Sequence, residues 1–550
     1  MYILTQKLDY RINVHHIFYL HCFKNLRMKV LSVFSVLSFT LHLYGQQVNS
    51  VWLDFNNVKA TVSDEGGFFS NVAASTAGYE VPKNSGKSTI FSGSYWIGAE
   101  DQFGQLHVSG NRYSWGGAQS SFHSGPIAES IAYGSINYSN QYQNAIWTVS
   151  KFEIDDHIAN YQSTGYVVPT SIANWPGNGD VNLGVASQLA PFIDLNSNGQ
   201  YEPSLGDYPE IRGDRAAYVI MNDESFQPDG NQLGIELHAM FYQYVTGDFW
   251  NDVTFLNLRA INRSNNNYIN YRQALFLDFD IGNYSDDFIG SNPYAGLLYG
   301  YNGDDIDEPA NGQQGYGANP PCQGVVALSH NIASAGAFNN GQDANGGDTL
   351  FWLLMNNQWG DSSLWMNPIT NDWTNVIFPD DPSSLTGWNE TTAGNSPGDR
   401  RGLITIGEPN LLSGASICSD YAFVYDRSGS TRFENVQNVF NKASAIQTYY
   451  NDFLTFPCHS PQFSGIKEAQ LIDFQLFPNP TTGQFTIQTD EQMKNASIEI
   501  RSLDGTLVYQ SQISTAFTPI ELHVADGMYV VQVVSEDNVI AKKVIIGAEK

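Results

Sequence analysis

The sequence predicts an all-β fold: a β-rich, sandwich-like body of one or two domains, then a smaller β-sandwich at the C-terminus. Three observations carry this. Apolar runs are short, aromatic or β-branched, and are cut by Gly, Asn and Pro, the pattern of strands in sandwiches and barrels. Long stretches with apolar residues at i, i+3, i+4 and i+7 are few. The 550 residues include 13% aromatics and 49 Gly but only 15% charged residues. Uncharged polar side chains must therefore cover the surface, as in many extracellular β proteins.

The chain opens on a targeting pattern. Val30–Tyr44 carries no charge, Arg27 and Lys29 stand just before it, and Gly45 follows. A basic flank, an apolar run and a small residue at the cut make a secretory signal. The run is short for a membrane span, which needs about 20 residues. Residues 1–45 are read as signal peptide, with the mature chain beginning near Gln46. Met28-Lys29 reads as the natural start, which makes the 27 residues before it a spurious extension.

The body is expected over residues 46–465. Its strand-like runs include Ile146–Val149, Ala217–Ile220, Ala239–Val245, Phe255–Ile261 and Ala274–Phe279. Tyr299–Cys322 and Ser334–Asp348 read as long Gly/Asn-rich loops, and Phe433–Asn451 as the best helix. The 55 acidic residues outweigh 26 Lys and Arg. Such a chain repels nucleic acid, whose phosphates need clustered basic residues. Of the four cysteines, Cys22 precedes the cut. Cys322, Cys418 and Cys458 have no CxxC spacing, which disfavours zinc and redox motifs and leaves room for one disulfide and one buried thiol.

The sharpest chemical signal is the loop Asp194-Leu195-Asn196-Ser197-Asn198-Gly199-Gln200-Tyr201-Glu202-Pro203. Oxygen-bearing side chains at alternate positions, then Gly at the bend, are how a loop wraps a hard cation. Asp194, Asn196 and Asn198 would be side-chain ligands and Gln200 would offer its carbonyl. Leu205 stands where an EF-hand has its bidentate Glu, so Glu202 or Asp207 must supply that charge. Structural calcium is the expected cofactor.

Two further acidic groups are Asp278, Asp280, Asp286 and Asp287, and Asp304, Asp305, Asp307 and Glu308. Strand alternation puts Asp278 and Asp280 on one face. Solvated strand ends and turns are the plain reading of both groups. Glu236 and His238 also share a strand face and read as a structural pair. No HExxH, GxSxG or GxxxxGK[ST] motif is present, and no catalytic residue is assigned. The body is read as non-enzymatic, with a structural, adhesive or binding role. The alternative is a carbohydrate-active hydrolase or a carbohydrate-binding protein, with cell-surface glycan or polysaccharide as partner.

Residues 470–550 form the second unit. Seven short runs span Phe474–Phe477, Gln484–Gln488, Ala496–Arg501, Leu507–Gln512, Ile520–Val524, Tyr529–Val534 and Ile540–Ile546, as in an immunoglobulin-like sandwich. Asp504-Gly505 marks a hairpin turn. The segment contains Phe477-Pro478-Asn479-Pro480, Gly483 before a strand, Leu503-Asp504-Gly505, Gly527-Met528-Tyr529 opening a β run, and Lys542-Lys543 in the last run. This ordered set resembles the type A C-terminal sorting domain of the type IX (Por) secretion system of Bacteroidetes. The resemblance implies export to the outer-membrane surface or medium, with the secretion machinery as partner. In the body, residues 79–83, 90–110, 174–180, 190–214 and 277–290 resemble the N-terminal region of large secreted Bacteroidetes proteins, a region to which no activity attaches.

Overall fold

Two antiparallel sheets of nine strands each form the body of the computed structural model. It describes residues 49–547 except 72–73, 112, 114–120, 225–231, 311, 340–346, 455–473, 490–495, 503–505, 514, 526 and 535–538. The signal segment expected at residues 1–45, Cys458 and the Asp504-Gly505 turn lie outside the described residues. No helix among the described residues is long and apolar enough to cross a membrane.

The first sheet runs in the order Ser50–Leu53, Lys59–Ser63, Gly67–Phe68, Ser88–Glu100, Tyr268–Phe279, Arg400–Leu411, Ile332–Asn339. Tyr79–Glu80 and Leu106–Gly110 pair beside this path. The second runs Trp147–Ser150, Arg215–Asn222, Ile235–Gln243, Val253–Asn262, Ser416–Asp426, Cys322–Ala327, Leu297–Asn302, Asp287–Asn292, with His123–Ser124 alongside. The all-β expectation holds, and all five example runs in the body fall in or overlap strands.

The facing surfaces meet in an aromatic core. Phe69 lies 4.7 Å from Phe423 and 4.6 Å from Tyr79, and Phe68 lies 5.0 Å from Tyr95. Edge and tilted contacts of this kind add about 0.5–1.5 kcal/mol each beyond area burial. The second sheet is covered on its other face too. Helix Arg432–Tyr449 lays Val436, Val439, Ala443 and Ile446 against the apolar cluster that holds Leu297, Tyr299 and Val424. A side chain on Gly324 would meet Val439 at 2.9 Å, so glycine permits the helix to sit this close. All nine residues of Ile235–Gln243 are consequently buried, which explains the continuous apolar stretch Ala239–Tyr242 within it. On the outer face of the first sheet, Trp96 stacks between Phe276 (5.1 Å) and Phe351 (4.1 Å) of helix Gly347–Met355.

Two expected loops are partly regular structure. Ile332–Asn339 is an edge strand rather than a loop. Its small residues make space: a Cβ on Gly336 would meet Phe338 at 2.6 Å and Trp365 at 2.8 Å. The stretch 299–322 begins in strand Leu297–Asn302 and contains the short ladder Ile306–Asp307 with Gly317–Ala318. The expected helix at 433–451 is Arg432–Tyr449, capped by the Thr431 side chain accepting the Glu434 N–H. Cys322 is a buried free thiol, and Cys418 is disulfide-bonded.

The C-terminal unit has a three-stranded and a four-stranded sheet. Its core is Phe474, Phe485, Ile487, Ile498, Ile500, Ile520, Tyr529, Val531, Val533, Val544 and Ile546. The alternating apolar residues of its strands supply the inward faces.

Candidate functional site

A cleft of about 250 Å³ opens beside the edge strand Ile332–Asn339. The strand contributes Ala337 and Phe338, and the long connection before Arg400 contributes Trp359, Met366, Phe378, Trp388 and Glu390. This connection is pinned to the edge: Ile377 N donates to Ala335 O (2.9 Å), and Ser291 Oγ donates to Ile377 O (2.8 Å). Trp388 packs 5.5 Å from Phe378, and Trp359 packs 6.4 Å from Phe338. Opposite the lining residue Met366 in a short bridge stands Trp373, 66% exposed.

One carboxylate reaches the lining, and it is engaged. Glu390 accepts from Arg400 Nε at 2.8 Å and from the Asn395 amide. A second, polar cleft of about 670 Å³ includes Asn144, Trp147, Glu153, Ser171 and Arg215. Glu153 accepts from Ser150 N (2.8 Å) and Ser171 Oγ (2.8 Å). Burial pushes Glu153 up, but these hydrogen bonds outweigh it and hold the carboxyl below its usual range. Most glycoside hydrolases need two cooperating carboxyl groups across the scissile bond; each cleft lining offers one, tied by its neighbours. The sequence reading missed the aromatic cleft. The signal available was density, since five of the eleven tryptophans fall between residues 352 and 388.

The loop Asp194–Asp207 is the tip of a hairpin in which Ile193 pairs with Tyr208. Asp194 Oδ2 accepts from Gly199 N at 2.7 Å, and Asp194 Oδ1 is buried without a hydrogen-bond partner. Asn196 Oδ1 accepts from Asn198 N, and Asn198 Oδ1 from Gln200 N. Glu202 accepts from the Asn198 amide. Asp207 is buried, and its two oxygens take the N–H groups of Leu195 and Glu202, tying the loop ends together. Gly199 has φ +77°, the bend that glycine favours. Asp194, Glu202 and Asp207 do not converge as a carboxylate trio. Among the described residues Asp278, Asp280 and Asp399 do.

Glu236 and His238 are closed into the core. His238 Nε2 lies 2.8 Å from Glu236 Oε1, Tyr218 Oη lies 2.6 Å from His238 Nδ1, and Arg263 Nη2 donates to Glu236 at 2.8 Å. Burial opposes ionisation of Glu236, but Arg263 and His238 prevail and hold it at about 2. Burial pushes His238 below its ordinary value. Of the other acids, Asp305 accepts from Arg432 N, and Asp307 accepts from Asn283 N and Tyr316 N, so they shape turns.

In the C-terminal unit Asn479 fastens the Phe477–Pro480 turn to the last strand. Its Oδ1 accepts from Ile545 N (2.9 Å) and its Nδ2 donates to Lys543 O (2.8 Å). Gly483 has φ +110°, and a Cβ there would meet Leu522 O at 2.6 Å. Gly527 opens the strand carrying Tyr529, whose hydroxyl donates back to Ala525 O at 2.8 Å. Lys542 lies 5.5 Å over the Phe474 ring, and Lys543 is exposed.

No curated protein sequence matches the chain. Among solved structures it is similar to a polysaccharide lyase at 8% identity, over 62% of this chain and 37% of that one, with a TM-score of 0.20. It is also similar to the adhesin domain of Epf from Streptococcus pyogenes at 7% identity, over 60% of this chain and 89% of that one, with a TM-score of 0.13. The chain thus spans just over a third of the lyase, and likenesses this low carry no argument about function. Residues 475–547 match the family of secretion system C-terminal sorting domains. That match falls on the turn and strands just described; the chain carries a type IX secretion sorting domain, which implies a Bacteroidetes origin and directs it to the cell surface or the extracellular space.

Proposed function

We propose that the exported body is a non-enzymatic, glycan-binding protein with a calcium-stabilised loop. The observation that carries this is the cleft walled by Trp359 and Trp388, with Trp373 exposed beside it and its one carboxylate locked to Arg400. Flat aromatic faces match the apolar faces of sugar rings, and surrounding polar groups set orientation. A volume near 250 Å³ suits a ring-sized group better than an extended chain.

Affinity electrophoresis and calorimetry against a polysaccharide panel test the reading. Trp359→Ala and the exposed Trp373→Ala should each weaken binding about tenfold, about 1.4 kcal/mol. Unchanged binding by both variants, or no binding by the parent protein, would overturn it. Release of reducing ends that disappears in Glu390→Gln would replace it with the hydrolase reading.

Support for calcium at Asp194–Asp207 comes from Asp194 Oδ1, buried and without a hydrogen-bond partner, and from the Asn196 and Asn198 oxygens held by backbone N–H groups. Each of those amide oxygens retains a lone pair. A cation that binds the folded state alone stabilises it by about 2.7 kcal/mol at a hundredfold excess over Kd. Calcium should raise the melting temperature, chelator should reverse the rise, and Asp194→Ala should remove part of it. An equal rise in parent and variant excludes this loop.

A further inference from the structure

Every arginine among the described residues donates a hydrogen bond except Arg215. Acidic residues outnumber Lys and Arg by 55 to 26, so a guanidinium with neither an ion pair nor a hydrogen bond stands out. Arg215 is half-buried, and its guanidinium carbon lies 5.8 Å over the Phe55 ring.

The strand ladder explains where it points. Arg215 stands opposite Ser150 of the strand Trp147–Ser150, so its side chain leaves the sheet on the face of Ser150 and Thr148. Trp147–Ser150 is an outermost strand of the second sheet, and Ser50–Leu53 is one of the first. Next to the latter, Asn49 Nδ2 donates to Asn144 O at 2.7 Å. The polar cleft of about 670 Å³ opens at this junction of the two sheet margins.

Much of its lining is unengaged. The side chains of Asn144, Thr148, Thr170 and Asn174 make no hydrogen bond. Glu153 is occupied elsewhere: Ser150 Oγ and Ser171 Oγ donate to it at 2.6 and 2.8 Å, and no ion pair joins it to Arg215. The arrangement selects a ligand. An open guanidinium fork matches one carboxylate or sulfate group in bidentate fashion. The Glu153 charge opposes a polyanion or a phosphate dianion, since the lining holds one cation to offset them. Open amides and hydroxyls around that cation suit the hydroxyls of a sugar ring. A volume of about 670 Å³, against about 250 Å³ in the aromatic cleft, gives room for more than one ring.

We propose that this cleft binds an acidic saccharide, with Arg215 holding the carboxylate or sulfate of one sugar residue and Asn144, Thr148, Thr170 and Asn174 holding ring hydroxyls. The site is separate from the cleft of Trp359 and Trp388 and stands whether or not that cleft takes a sugar.

The test is calorimetry on the full chain in chelator, with trigalacturonate, its neutral methyl ester and a sulfated trisaccharide as probes. One or both charged probes should bind at least about tenfold more tightly than the ester, and the tighter of the two names the anion. Arg215→Gln should bring charged-probe binding down to the level of the ester. Arg215→Lys keeps the charge without the fork and should lose about threefold. Asn174→Ala should weaken charged and neutral probes alike, about threefold. The melting temperature of Arg215→Gln should stay near that of the parent, because the guanidinium hydrogen-bonds nothing in the fold. No preference for either charged probe over the ester overturns the site, as does charged-probe binding that survives Arg215→Gln. Trp359→Ala should leave the preference intact; losing it there would move the binding to the aromatic cleft and overturn the proposal. Failure of the aromatic-cleft reading shows instead as neutral polysaccharide binding that Trp359→Ala does not change.

Discussion

A chain truncated after residue 469 should fold its body and fail to reach the cell surface. The C-terminal core draws on none of the residues that build the two body cores, so removing it takes no apolar contact from them. Export is what the truncation removes, because the sorting match lies wholly within residues 475–547. In the native host, the surface-exposed fraction, read by protease accessibility on intact cells, should fall to background. Circular dichroism of the purified truncate should keep its strand signal and cooperative melt. Surface delivery at the parental level would refute the sorting role. A softer version targets the turn: Asn479→Ala removes the bonds to Ile545 N and Lys543 O and should lower delivery without affecting the body.

The second large effect concerns acidity. Asp64 and Glu65 are adjacent and buried. Burial lifts Asp64 to about 6, and burial together with the Asp64 charge lifts Glu65 to about 8. Both folded-state values exceed those of the unfolded chain, near 4. Their stabilising contribution is therefore complete below about pH 4 and is lost as pH rises through 6 to 8. At 1.36 kcal/mol per unit, the loss is about 3 kcal/mol for Asp64 and about 5 kcal/mol for Glu65. Thermal melts in chelator should be several degrees lower at pH 8.5 than at pH 5. Glu65→Gln should flatten that slope and leave the pH 5 melt nearly unchanged. A melting temperature that rises from pH 5 to pH 8.5 in parent and variant alike would contradict the assignment.

Legibility in the sequence followed locality. The C-terminal strands were readable because their turns and partners lie within a short segment, as at Ile498 and Val533 in paired strands. Runs such as Ala217–Ile220 were readable because burial on both faces leaves no charged interruption. Ile332–Asn339 was unreadable as a strand, since its Ala and Gly residues are small to admit Trp365, a neighbour supplied by tertiary packing. The same holds for the sites. Alternation placed Asp278 and Asp280 together, but Asp399 joins them through the pairing of Asp278 with Arg401, across more than a hundred residues. The aromatic cleft likewise depends on a connection folded back over a sheet edge.

The strand order also governs when the body can fold. Arg400–Leu411 lies between Tyr268–Phe279 and Ile332–Asn339, and Ser416–Asp426 lies between Val253–Asn262 and Cys322–Ala327. The last two strands of the body, one in each sheet, are thus the keystones, and each sheet stays in two pieces until its own has been synthesised. Ring closures of this length precede the contacts that reward them, so folding is late and slow. For a chain that crosses a membrane before reaching its destination, this delay keeps the polypeptide threadable: it cannot lock into its final form until nearly all of the body is available on the far side.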